Sequence, residues 1–180
     1  MDDIRRRLGL LALSGWAVIL AGCASKPPLA LSAQGHACFE FGKPPRRRKT
    51  CTPEPVPAPE VEAAAKRFEP AADRLTVYVV RQRWLDAANR VALSLDGGPE
   101  AVTVPRSLVR MRMKPGTHRL AATWPDGSTA FEFDGAAGQV LFIELKGAVW
   151  AWGSEYRFEV GEPASSRERA AALRLIGDLG

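Results

Sequence analysis

The sequence predicts an all-β protein: a small β-sandwich of about seven antiparallel strands with a short C-terminal helix, preceded by a disordered Pro-rich linker. Apolar and polar residues alternate with a period of two from Leu75 onward, and turns containing Gly or Pro separate these stretches. Prolines cluster before them. The 180 residues, 46% hydrophobic and 25% charged, are enough for one domain with its own core.

The alternating stretches define the strands of the sandwich. The first carries Leu75, Val77 and Val79, and the second starts at Val91 and ends at the turn 96–99. Further strands are predicted at residues 101–104, 108–113, 117–124, 129–133, 140–145 and 156–160. The stretch 140–145 is almost continuously apolar, which is typical of a strand in a central position.

Two short helices are predicted outside the strands. Residues 60–68 are Ala-rich and follow Pro59, a residue favoured in the first turn of a helix. Near the C-terminus, Ser165 and Glu168 have the spacing of a capping box, which predicts a helix that continues to Ile176. We expect this second helix to pack on the sandwich, and binding of a partner is the alternative.

The first 22 residues have the pattern of an export signal. Three arginines at positions 5–7 precede an uncharged apolar run, residues 8–22, that is shorter than a membrane-spanning helix. The run leads into Leu20-Ala21-Gly22-Cys23, which resembles the lipobox of bacterial lipoproteins. The resemblance implies cleavage before Cys23, acylation of its thiol with chains such as palmitate, and attachment to a membrane. An uncleaved anchor is the alternative.

The lipobox resemblance also implies a location and a division of the chain. Ala24 and Ser25 follow Cys23, and the absence of Asp there implies the outer membrane, facing the periplasm, under the enterobacterial sorting rule. We therefore expect a signal peptide at 1–22, a lipidated, Pro-rich and basic linker at 23–70, and the β-sandwich domain with its C-terminal helix at 71–180.

The three cysteines suggest one disulfide. Lipidation of Cys23 leaves Cys38 and Cys51, which we expect to pair in an oxidising compartment. The bond would close a loop of about fourteen residues and stabilise the fold by roughly 3 kcal/mol. A metal site built from His36 and these two cysteines is the alternative, but no second His or CxxC spacing supports it. We predict no metal and no cofactor.

A cationic segment lies between the two cysteines. It contains Lys43, Arg46, Arg47, Arg48 and Lys49, which suit contact with lipid phosphates, lipopolysaccharide or an acidic partner. A solvated loop without a partner is the alternative. The net charge of +5 is too small to indicate nucleic-acid binding. The prolines after Cys51 predict an extended spacer that holds the domain off the membrane.

Several stretches of the domain resemble a family of uncharacterised bacterial lipoprotein domains. They are residues 75–81, residues 91–97, the Pro-Gly-x-His turn within 114–120, and the Gly-led strand 138–143. The resemblance implies a β-sandwich and a location in the cell envelope, and it transfers no catalytic residue. The segment 81–86 is an insertion relative to this pattern, and we expect a loop there.

The sequence contains no catalytic motif that we identify. It has two histidines, and His118, in the Pro-Gly-x-His turn, is predicted to cap backbone carbonyl groups. No Gly-x-Ser-x-Gly, phosphate-binding Gly loop or HExxH sequence is present. We therefore expect a non-enzymatic protein.

Two tryptophans supply an alternative function. Trp150 and Trp152, if exposed, could stack on a sugar ring or bind a hydrophobic partner, and if buried they belong to the core. Trp84 and Trp124 raise the same question. The expected function is that of a membrane-anchored periplasmic lipoprotein that binds an envelope protein or supports the envelope. The alternative is a receptor or enzyme that acts on cell-envelope glycans.

Overall fold

The computed structural model of the protein describes residues 27–82, 86 and 88–180, so the predicted signal peptide, Cys23 and Trp84 lie outside the described residues. The described residues form twelve strands and two helices: β1 (Ala30–Leu31), β2 (Ala37–Phe41), β3 (Arg48–Cys51), α1 (Pro59–Ala65), β4 (Leu75–Arg81), β5 (Val91–Leu95), β6 (Glu100–Thr103), β7 (Ser107–Met113), β8 (Gly116–Trp124), β9 (Gly127–Gly135), β10 (Val140–Trp150), β11 (Gly153–Val160), α2 (Pro163–Ala171) and β12 (Arg174–Leu179).

These strands form three sheets. A five-stranded sheet has the order β11-β10-β4-β7-β12, a four-stranded sheet has the order β6-β5-β8-β9, and a small third sheet has the order β1-β2-β3. Pairing is antiparallel except between β10 and β4 and between β12 and β7, which are parallel. The predicted all-β class with a short helix near the C-terminus is confirmed.

Strand β4 is the central strand of the five-stranded sheet, and all seven of its residues are buried. Leu75, Val77 and Val79 face the main core, which the five-stranded and four-stranded sheets enclose. Tyr78 and Val80 face a second core, where α1 and α2 cover the outer face of the sheet. Because the five-stranded sheet is apolar on both faces, the four-stranded sheet must cover one face and the two helices the other.

Residues 27–57 are built into the fold, although the sequence predicts a linker there. Leu29, Ala37 and Phe39 are buried in the main core. The Pro-rich stretch after β3 returns along the small sheet, where the Val56 amide donates to the Gly35 carbonyl at 2.9 Å. Ala37, Phe39 and Phe41 do alternate along β2, but this stretch is only five residues long and lies among many prolines, so the sequence favours a linker.

The C-terminal residues differ in part from the prediction of a short helix that continues to Ile176. Helix α2 ends at Ala171, and its first turn is capped by the Glu162 carboxylate, which accepts from the amides of Ala164 and Ser165 at 3.0 and 2.7 Å. The predicted capping box is therefore wrong. Residues 174–179 form β12, because the five-stranded sheet offers them the free edge of β7.

We predict that Phe39→Ala lowers the free energy of unfolding by about 3 kcal/mol or more, because it removes a large side chain from the main core. Leu31→Ala is the matched control, since Leu31 lies in the same small sheet but is exposed, and we expect a change within about 0.5 kcal/mol. Urea unfolding measures both. Equal stabilities of the two variants would show that residues 27–57 do not belong to the cooperative fold.

Candidate functional site

Several surface features lie at one end of the five-stranded sheet, which we call the Arg81 end. Strand β4 finishes there at Arg81, which pairs with Ser107 at the start of β7. Strand β12 also starts there, because Arg174 pairs with Ser107. Strand β10 runs parallel to β4 toward this end. Its last partner on β4 is Val80, which pairs with Glu144.

The β10–β11 pair extends beyond the sheet at the Arg81 end. From Glu144 to Trp150, β10 continues for about 20 Å at about 3.3 Å per residue. Its partner over this stretch is β11, and the pairing holds as far as Trp150 and Gly153. We call residues 147–156 the tryptophan hairpin.

The tip of the tryptophan hairpin is apolar and exposed. Trp152 is 86% exposed, Trp150 46% and Val149 39%. Five large hydrophobic side chains are exposed within the part of the chain that the structure describes, and these are three of them. The sequence left the burial of Trp150 and Trp152 open, and the structure places both on the surface. Trp124, in contrast, is buried.

Polar contacts brace the tryptophan hairpin against the neighbouring β8–β9 turn. The Ser154 amide donates to Asp126 Oδ2 at 2.7 Å, and the Ser154 hydroxyl donates to Asp126 Oδ1. These bonds lower the pKa of Asp126, because they favour its charged form. Asn89 Nδ2 donates to the Ser154 hydroxyl at 2.9 Å, and Trp124 Nε1 donates to the Ser154 carbonyl at 3.3 Å. The base of the hairpin is therefore held in place.

A buried ionic cluster lies beneath the hairpin. The side chains of Arg81 and Asp86 are each 1% exposed, and Arg81 Nε donates to Asp86 Oδ2 at 3.0 Å. Arg81 also donates to the Thr103 carbonyl at 2.8 Å, the Asn89 carbonyl at 2.9 Å and the Tyr156 hydroxyl at 3.4 Å. Burial raises the pKa of the Tyr156 phenol, which therefore stays protonated. Asp86, which follows β4, thus supplies the counter-ion of Arg81.

The disulfide predicted between Cys38 and Cys51 is present, with an S–S distance of 2.07 Å, and it links paired residues of β2 and β3. Residues 43–49, which we call the cationic turn, comprise the connection beyond the Phe41–Arg48 pair and the first two residues of β3. All five cations predicted to contact an anionic surface are exposed: Lys43, Arg46, Arg47, Arg48 and Lys49.

The cationic turn also lies at the Arg81 end. A groove with a cavity volume of about 600 Å³ is lined by Phe41 and Gly42, next to the turn, and by Gln82, Arg106 and Leu173 from the ends of the five-stranded sheet. The first described residue is at the same place, because Arg106 Nη2 donates to the Pro27 carbonyl at 2.5 Å. The chain therefore enters the fold beside the cationic turn.

His118 occupies the opposite end of the sheets and has a structural role. Its Nε2 lies 2.8 Å from the Lys114 carbonyl oxygen, as predicted, and its Nδ1 lies 2.7 Å from Asp96 Oδ2. Burial disfavours the charged ring, but the bonds to Asp96 and Lys114 outweigh it and raise the pKa of His118. His36, near Cys38, contacts the Thr52 carbonyl oxygen at 3.0 Å.

Neither a metal site nor a membrane-spanning helix is found among the described residues. Across residues 27–180, apart from the gaps at 83–85 and 87, no group of three or more His, Cys, Asp or Glu side chains is arranged to hold a metal ion. None of the helices described is both long and apolar enough to span a membrane.

Comparison with known proteins gives no match: no family model, no curated protein and no solved structure matches this chain.

We predict that Asp86→Ala destabilises the fold by about 3 kcal/mol or more, because it leaves the Arg81 guanidinium buried without a counter-charge. The double variant Arg81→Met, Asp86→Leu should lose less stability than the single variant, because it removes both charges together. Urea unfolding of both variants and the wild type measures this. A double variant that is less stable than Asp86→Ala would contradict the assignment.

Proposed function

We propose that this protein is a lipid-anchored, non-enzymatic protein of the bacterial cell envelope that binds an envelope component through its Arg81 end. The lipobox-like sequence ending at Cys23 supports the anchor, and the resemblance of residues 75–143 to envelope lipoprotein domains supports the location. On this proposal Cys23 carries acyl chains and the folded residues face the periplasm from the outer membrane.

The exposed tryptophan hairpin is the observation that carries the proposal of binding. Large apolar side chains are costly to leave in water, and a cluster of them on the surface marks an interaction site. Here the cluster sits on a braced hairpin, since Ser154 is bonded to Asp126 and Asn89. Little conformational entropy is lost when such a surface binds, which favours affinity.

The anchor is tested by the intact mass of the protein purified from a detergent-solubilised membrane fraction. We expect a chain that begins at Cys23 and carries acyl chains. Cys23→Ser should lack that mass and should not be retained in the membrane fraction by lipid. An unmodified wild-type chain that keeps residues 1–22 would refute the lipoprotein proposal.

A glycan-binding role is a second candidate, and the outer face of the tryptophan hairpin favours it. Ala148 and Trp150 lie on one face of β10, and Ala148 pairs with Glu155 on β11. An exposed indole ring beside a carboxylate is an arrangement that can stack on a sugar and accept from its hydroxyl groups.

Co-sedimentation with purified cell-wall sacculi tests the glycan candidate. If the protein binds glycan, it sediments with sacculi. The double variant Trp150→Ala, Trp152→Ala should then lose co-sedimentation, because each stacked ring contributes a large part of the contact area. Val160→Ala, at an exposed apolar position elsewhere on β11, is the matched control. No sedimentation of the wild type would eliminate the candidate.

A further inference from the structure

From the placement of three features at the Arg81 end, we infer that this end rests on the lipid bilayer, with the cationic turn on anionic headgroups and the tryptophan hairpin at the level of the membrane interface. The inference rests on the proposed lipidation of Cys23 and names the partner of the proposed binding surface. That partner is the anionic phospholipid surface of the leaflet that holds the anchor.

The first feature is the short distance between the proposed anchor and the fold. Pro27 is held to Arg106 at the Arg81 end, and Cys23 precedes Pro27 by four residues. Four residues span at most about 14 Å when fully extended. Acyl chains on Cys23 would therefore keep Pro27 within that distance of the headgroup region. A long spacer between membrane and domain does not fit residues 27–57, which are packed into the fold.

The second feature is the charge beside the chain's entry point. Pro27, Leu29 and Ala30 line a surface depression together with Lys49, at the base of the cationic turn. The turn projects from the small sheet past the Phe41–Arg48 pair, with its cations exposed. Each Lys or Arg near an anionic bilayer strengthens binding by about fivefold. Because the proposed anchor lies within about 14 Å of Pro27, it would hold these cations close to the headgroups, where the attraction is largest.

The third feature is the tryptophan hairpin, which extends from the same end of the five-stranded sheet. Tryptophan is enriched at membrane–water interfaces because its ring is apolar and its N–H is polar. The exposed Trp150 and Trp152 thus have the chemistry of that layer. The acidic groups near the tip are few: Glu155 on β11 and Asp126, whose carboxylate is already bonded to Ser154.

A bilayer explains these features together better than a glycan does. A sugar chain would use the indole rings but has no need of the cationic turn, which lies near the opposite edge of the sheet, on the β12 side. A membrane plane can contact both at once because it is wide and flat. The chain enters the fold beside the cationic turn, where Arg106 is bonded to Pro27, so the proposed anchor lies at the same end of the fold.

Depth-dependent fluorescence quenching tests the inference on the full lipidated protein. The protein is purified from membranes, its acylation is verified by mass, and it is reconstituted into vesicles containing phosphatidylglycerol, with or without brominated acyl chains. The emission of the hairpin is obtained as the difference between the emission of the wild type and that of the double variant Trp150→Phe, Trp152→Phe. We expect brominated vesicles that contain phosphatidylglycerol to quench this difference emission. Brominated vesicles of phosphatidylcholine alone should quench it less.

Charge variants supply the matched comparison. The double variant Arg46→Ser, Arg47→Ser loses two cations. It should weaken the contact of the Arg81 end with anionic vesicles on the order of 25-fold and should reduce the quenching. Arg74→Ser, Lys114→Ser removes two exposed cations from the opposite end of β4 and β7 and should leave the quenching unchanged. Equal loss in the two double variants would overturn the role of the cationic turn.

The outcomes separate this inference from the proposal on which it rests. A mass without acyl chains refutes the lipoprotein proposal and, with it, the inference. An acylated protein whose hairpin emission is not quenched by brominated lipid overturns the seating alone. In that second case, a change in the hairpin emission when soluble peptidoglycan fragments are added would assign the rings to a glycan.

Discussion

The fold depends on a strand that has no side facing water. Strand β4 buries one row of side chains between two sheets and the other row under two helices. A strand in this position can be stable only if both faces are covered, which explains why the chain uses α1 before β4 and α2 after β11 as covers. The Tyr78 hydroxyl donates to the Ala65 carbonyl at 2.7 Å, and this bond links α1 to β4.

All strands of the two larger sheets except β12 could be predicted, because their apolar residues give a visible signal in the sequence. Val109, Met111 and Met113, for example, alternate with cations, and all three are buried. The disulfide followed from counting cysteines. Strand β12 could not be predicted, because Leu173 and Ile176 have a spacing that also suits a helix. The free edge of β7, which decides between the two structures, is visible only in three dimensions.

The surface at the Arg81 end was only partly accessible from the sequence. The cationic turn and the two tryptophans are identifiable as residues, but the parallel pairing of β10 with β4, which brings the tryptophan hairpin to the Arg81 end, is not. Asp86 could not be recognised as a buried counter-ion, because nothing in residues 81–86 distinguishes it from a solvated acid. The short interval between Cys23 and the fold was hidden by prolines that suggested a spacer.

The parallel pairing of β12 with β7 has a consequence for how the chain acquires its structure. Strand β12 follows all the other strands of its sheet in the sequence, and Arg174 at its start is bonded to the carbonyl of Leu29 and to Glu62. The earliest described segments therefore gain their final contacts only after residue 174 has been synthesised. Such long-range closure is slow. A polypeptide that completes its fold late stays unfolded for longer during synthesis, and a narrow translocation channel would require that state if the chain is exported as we propose.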